Sequence, residues 1–257
     1  ELLPAEPERL RLMLEALAVR VAAGEAQPLP AQVFEMRGEL VEAFRHLQSG
    51  KTIGKVVVRV DPPPEASAVA DGKGCVLVTG GLGGLGLVTA EALVEAGARC
   101  VVLASRSGKI KHAGQGLKER LVQLQTAMPG VEVVVERCDT SNEDQVVAML
   151  ARVRERHGPL RAVVHAAGVL SDGLLAKQDE ESMRRVWGPK ADGAWFLHKH
   201  TVGVDVELRA FVLFSSVASL FGNAGQANYS AANGYLDGLA RWRVSQGLPG
   251  VSVQWPA

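Results

Sequence analysis

The stretch CVLVTGGLGGLG, residues 75–86, decides the architecture of the chain. Its first five residues run without polar alternation, as in a parallel strand whose two faces are both covered. The run passes straight into a glycine-rich turn and then into residues that read as helix through about Ala96. Gly81-x-Gly83-x-x-Gly86 has the spacing of a dinucleotide-binding turn. Glycines there allow a tight bend and close backbone approach, and the helix N-terminus aims N–H groups at a pyrophosphate.

Further strands follow at CVVLA (100–104), VEVVVER (131–137), AVVHA (162–166), AFVLF (210–214) and VSVQW (251–255), separated by helical segments such as 142–156. This alternation predicts an α/β fold with a doubly wound parallel sheet of the Rossmann kind, which binds ligands at the carboxyl ends of its strands.

Residues 1–60 carry their own pattern. Leu10, Met13, Leu14, Leu17 and Val21 recur at helical spacing after Pro7, and Gly24 closes that helix. AQVFEM (31–36) and GKVVVRV (54–60) read as strands. GELVEAFRHLQSG (38–50) between them is a helix with Leu40, Val41, Phe44 and Leu47 on one face. DPPPEASAVADGKG, residues 61–74, reads as a proline-rich linker. The expected organisation is therefore a small α/β N-terminal fragment (1–60), a linker (61–74) and a nucleotide-binding domain (75–257).

The 28 basic and 28 acidic residues balance, which argues against nucleic acid or an anionic membrane as partner. No apolar run approaches the roughly 20 residues of a membrane span, and the N-terminus lacks the pattern of a signal peptide. Cys75, Cys100 and Cys138 are odd in number and form no CxxC pair. They read as buried thiols in a reducing compartment, the cytoplasm, and no metal site is expected.

The second strand ends in ASRSG (104–108), with Ser105 and Arg106 where an NAD site would carry an acid. A guanidinium grips a phosphate with paired hydrogen bonds, so NADPH is the expected cofactor. Ala166, Ala167 and Gly168 end the fourth strand, where small residues let a cofactor approach. His165 reads as a strand residue rather than an acid–base group. Tyr229 sits among small polar residues, with Asn233 one helical turn on. A phenol that does proton chemistry near neutral pH needs a cation beside it, and Asn233 is an amide.

The stretches VTGGLGGLG, ASRSG, CDTSN, VVHAAGVLSDGLL, GPKADGAWFLH, FSSVASLFGNAGQANYSAANGYLDGLA and VQW occur in family order over most of residues 75–255. Together they resemble a short-chain dehydrogenase/reductase, and more closely the ketoreductase domain of type I polyketide and fatty acid synthases. Residues 31–60 resemble the last strand–helix–strand of a medium-chain-type enoylreductase, the domain that precedes the ketoreductase in such synthases.

The resemblance implies that Lys190, from an earlier helix, supplies the cation for Tyr229. It also implies that Ser216, thirteen residues before the tyrosine, binds the substrate carbonyl, and that Asn233 helps relay protons. Tyr235 then reads as core. Cofactor contacts are implied for Thr79, Gly80, Gly81, Leu82, Gly83, Gly84, Leu85 and Gly86, and for Ser105, Arg106, Cys138, Asp139 and Thr140. Ala166, Ala167, Gly168, Tyr229 and Lys190 complete that set. Leu170 and Asp172 resemble the loop of ketoreductases that give the D-configured alcohol.

The implied reaction is NADPH-dependent reduction of a β-ketoacyl thioester held on the phosphopantetheine arm of an acyl carrier protein, beside the other domains of one synthase. Family members continue past VSVQW into a lid helix and strand, so the chain is expected to be truncated there and weakly active. The alternatives are a non-catalytic NADPH-binding scaffold and a stand-alone reductase of a free ketone.

Overall fold

A computed structural model describes residues 7–25, 30–59, 74–110, 116–126 and 129–256; residues 61–73 of the expected linker lie outside these. The chain divides into two compact units, residues 1–64 and 65–257.

In the first unit, α1 (Pro7–Ala22) precedes β1 (Ala31–Glu35), α2 (Met36–Gln48) and β2 (Lys55–Arg59). The two strands pair in parallel, Ala31 opposite Lys55 through Glu35 opposite Arg59. α2 begins at Met36, two residues before the expected start. Phe34 and Ala43 are buried, whereas Val41, Phe44 and Leu47 are exposed. Three of the four residues on the expected apolar face of α2 are thus exposed, and Leu40 is half-buried. Met13, Leu14, Leu17 and Val21 of α1 are exposed as well.

The second unit is a six-stranded parallel sheet. Its strands are β3 (Cys75–Thr79), β4 (Cys100–Ser105), β5 (Glu132–Arg137), β6 (Leu160–His165), β7 (Ala210–Ser216) and β8 (Val251–Trp255). They lie in the order β5-β4-β3-β6-β7-β8, the doubly wound arrangement expected from the sequence. The order reverses between β3 and β6, and the crevice beyond their carboxyl ends is where such sheets bind ligands.

The helices are α3 (Gly84–Glu95), α4 (Leu117–Thr126), α5 (Glu143–His157), α6 (Glu180–Trp187), α7 (Gly193–Lys199), α8 (Ala218–Phe221) and α9 (Ala227–Ser245). Helix α5 is well terminated: the Asn142 side chain accepts from the Gln145 N–H at 3.0 Å. Its first turn is acidic and its last turn basic, matching the helix dipole.

Two apolar layers flank the sheet. Leu77, Val102, Met149, Leu197 and Phe211 meet on one face, and Val76, Val101, Leu87 and Val164 on the other. Each fully buried side chain of this size contributes about 1.5–3 kcal/mol. Because both faces are covered, the strands read as unbroken apolar runs. Tyr235 packs against the first layer with its ring centre 5.4 Å from that of Trp187. No described helix is long and apolar enough to cross a membrane.

Candidate active site

The glycine-rich turn leaves β3 at Gly80, whose φ of +66° suits glycine. A Cβ there would stand 2.6 Å from the Ala166 carbonyl oxygen, and one at Gly86 would collide with the Gly80 carbonyl. Those glycines let the turn, β6 and α3 pack closely. Gly84 differs, because a Cβ there would meet nothing within 4 Å. No side chain caps α3, and its first turn holds no acid, so its leading N–H groups are left for an anion.

Beside this turn lies a cleft of about 270 Å³, lined in part by Gly80, Leu82, Gly83, Ser105, Arg106, Cys138, Thr140, Ala166, Ala167 and Gly168. Arg106 is exposed at its rim. These residues, an open anion-binding helix end and a cation at the end of β4, fit a phosphorylated dinucleotide. Thr79, Gly81, Gly84, Gly86 and Asp139 do not line the cleft. The Asp139 carboxylate accepts from the Ser141 N–H at 3.0 Å and from its hydroxyl at 2.6 Å, which engages one of its oxygens in its own turn.

A second cavity of about 560 Å³ adjoins the first through Ala166, Gly168 and Val169, and is lined by Lys190, Ser216, Tyr229, Leu85 and Leu170, with Trp255 and Pro256. Lys190 sits in a π-helical turn, Gly188–Asp192, between α6 and α7, a rare distortion that often marks functional sites. It is 4% exposed; its Nζ donates to the Phe214 carbonyl at 2.7 Å and lies 5.4 Å from the centre of the Tyr229 ring. Burial lowers its pKa to about 8, with the Asp237 carboxylate acting in the opposite sense.

Tyr229 belongs to the first turn of α9, where the helix dipole favours negative charge. Ser216 ends β7, and its Oγ accepts from the Ala218 N–H at 3.2 Å. The neighbouring Ser215 instead donates to the Asn233 carbonyl at 3.3 Å, turning its hydroxyl toward α9. Asn233 is fully buried and lies outside the cavity lining. Its Nδ2 donates to the Tyr229 carbonyl at 2.8 Å, and its Oδ1 has no hydrogen-bond partner among the described residues.

Asp172 is exposed and accepts from Gln226 Nε2 at 3.1 Å. Its loop is tied to the tyrosine helix again through Asn228, whose Nδ2 donates to the Ser171 carbonyl at 2.8 Å and the Ser182 carbonyl at 3.2 Å. Asn228 is fully buried. The sequence reading passed over it because nothing local marks a residue whose partners lie about fifty positions away.

Two more supports escaped that reading. The Thr79 hydroxyl lies 2.7 Å from His165 Nδ1, and His165 Nε2 lies 2.9 Å from the Lys190 carbonyl. A carbonyl only accepts, so Nε2 carries the proton and Nδ1 accepts from Thr79. Burial lowers the His165 pKa to about 4, so the ring is a neutral strut between β3 and the lysine turn. Asp237 on α9 accepts from Ser219 at 2.6 Å, Ser252 at 2.5 Å and Gln254 at 2.8 Å. It thereby fixes α8 and β8 around Ser216. Burial opposes the Asp237 charge, but hydrogen bonds from these groups and Ser215 outweigh it and lower its pKa.

Comparison with known proteins agrees with this arrangement. Residues 74–257 match the family described as KR domain, and residues 1–58 match one described as zinc-binding dehydrogenase. The chain is 46% identical over 248 residues to a polyketide synthase, GfsB, of Streptomyces halstedii, covering 96% of this chain and 4% of that protein. It is 40% identical over 258 residues to the phenolphthiocerol synthesis polyketide synthase Pks15/1 of Mycobacterium marinum, covering 99% of this chain and 12% of that one. The chain thus spans only a small part of these curated relatives. A solved structure of the first ketoreductase of the tylosin polyketide synthase aligns with a TM-score of 0.62 at 40% identity, over 71% of this chain and 38% of that one. The chain belongs to the ketoreductase (KR) domains of polyketide synthases, preceded by an enoylreductase tail.

Proposed function

We propose that the domain reduces the β-carbonyl of an acyl thioester with NADPH, the acyl chain being carried on the phosphopantetheine arm of an acyl carrier protein. The observation that carries this reading is the buried Lys190 ammonium 5.4 Å from the Tyr229 ring, in one cavity with Ser216.

Gly80, Leu82, Gly83, Ser105, Cys138, Thr140, Ala166, Ala167 and Gly168 would hold the dinucleotide, and Arg106 would meet a 2′-phosphate, which favours NADPH over NADH. Gly81, Gly84, Leu85 and Gly86 shape the turn, and Asp139 has a second carboxylate oxygen to offer. When bound, the reduced nicotinamide supplies the hydride. The hydroxyls of Ser216 and Tyr229 hydrogen-bond the ketone oxygen, and the Tyr229 O–H gives its proton to that oxygen as negative charge develops. Lys190 stabilises the phenolate left behind. Asn233 offers its unpaired Oδ1 to a water that returns a proton.

Leu170 and Asp172, tethered to the tyrosine helix, would guide the acyl arm so that the D-β-hydroxyacyl product forms. Partners are the carrier protein and neighbouring domains of the synthase. Three free, buried cysteines support a reducing, cytoplasmic setting.

Supplying the synthase polypeptide with a β-ketoacyl thioester and either NADPH or NADH tests the reading, with the alcohol resolved by chiral chromatography. NADPH oxidation matched by D-alcohol is expected. Failure to consume NADPH, or predominantly L-alcohol, would overturn the corresponding part.

A further inference from the structure

The end of the sheet opposite the active site holds a second constellation. Cys100 begins β4, Glu132 begins β5, and His157 ends α5. Cys100 and Glu132 stand opposite each other in the parallel register. Helix α5 starts near the carboxyl end of β5 and returns to its amino end, which brings His157 to the same corner. His157 Nδ1 lies 3.1 Å from Glu132 Oε2. One ligand atom from each of the three residues lies within 4.8 Å of the others.

An ordinary ion pair explains two members of this group. It does not explain the third, a thiol buried to 8% exposure that faces the pair. The three donors are a sulfur, an imidazole nitrogen and a carboxylate oxygen, a set that suits zinc with water completing a tetrahedron. Ligand atoms at zinc bonding distance lie about 3.5 Å apart, so adjustments of an ångström or so bring these three into place. The carbonyl end of α5 adds negative potential where the cation would sit.

Cys75 begins β3 beside Cys100, since Val76 pairs with Val101. The Cys75 thiol donates to the Gly158 and Pro159 carbonyls at 3.7 and 3.8 Å, which leaves Cys100 as the thiol that faces Glu132 and His157. The sequence reading expected no metal because it looked for close spacing, and these ligands come from three separate elements.

We propose that Cys100, Glu132 and His157 form a site for a zinc-like divalent cation that clamps the edge strand β5 to β4 and α5. At the amino ends of the strands it is remote from Tyr229, so it acts on stability and leaves the reduction step alone.

Cobalt(II) is the probe. Titrated into the full 257-residue chain under anaerobic conditions with a non-chelating reductant, it should give a thiolate-to-cobalt charge-transfer band that zinc displaces. Cys100→Ser should abolish the band. His157→Gln, at a helix end where the fold tolerates it, should weaken affinity at least about tenfold with an unchanged far-ultraviolet dichroism spectrum. Absence of the band in the wild-type chain, or its survival in Cys100→Ser, would overturn the proposal, as would wild-type affinity in His157→Gln.

Discussion

The Nζ of Lys190 lies 5.4 Å from the centre of the Tyr229 ring although the two residues come from separate elements. The ammonium donates to the Phe214 carbonyl, so it is anchored by backbone beside the phenol. Such a cation is costly to bury and serves the site more than the fold. Lys190→Met should therefore slow reduction by roughly 10²–10⁴-fold, the usual worth of assisted proton transfer, without lowering the thermal midpoint. Rates measured under single turnover, with melting curves alongside, check both halves.

The same lysine sets an alkaline limit. With its pKa lowered to about 8, the ammonium is present below that pH and lost above it. The rate constant for reduction should fall as pH rises through about 8, and this limb should vanish in Lys190→Met. A wild-type profile flat to pH 10 would contradict the assignment.

Arg106, at the rim of the nucleotide cleft, should create the preference for NADPH. Arg106→Ala should weaken NADPH binding by roughly 1.5–3 kcal/mol, the range for a hydrogen bond to a charged group, and leave NADH binding nearly unchanged. Fluorescence titration of both cofactors measures this. Equal weakening of the two would assign Arg106 to general folding instead.

His165 predicts how the fold responds to acid. Its pKa is lowered from 6.5 to about 4 by burial. Above 6.5 it is neutral in both folded and unfolded chains, while between 6.5 and 4 only the unfolded chain takes up the proton. Stability therefore falls as pH drops through that window and levels off below it. At 1.36 kcal/mol per unit, the loss from this residue is about 3 kcal/mol. His198, lowered to about 4 by burial and by Arg243, acts over the same range. Urea unfolding at several pH values should show a shallower acid slope in His165→Gln; an unchanged slope would contradict the account.

The six strands were legible because a sheet covered on both faces needs uninterrupted apolar runs, and CVLVT and CVVLA are such runs. The glycine turn was legible because a tight bend after a strand requires fixed local spacing, whereas Ser216 was singled out only by the family resemblance. Lys190 was not legible from the residues themselves, since a lone lysine on a helix usually faces water; it came from the family resemblance. Asn228, His165 and Asp237 escaped as supports because their hydrogen bonds reach between distant segments. The α2 face of Val41, Phe44 and Leu47 has helical periodicity, but periodicity does not say what covers a face, and these residues are exposed.

The central claim is that Tyr229 gives the proton. Single-turnover reduction of a β-ketoacyl thioester by Tyr229→Phe tests it most directly, with NADPH affinity measured on the same sample. The account predicts a rate reduced by roughly 10²–10⁴-fold with NADPH binding retained. Reduction at the wild-type rate would contradict it.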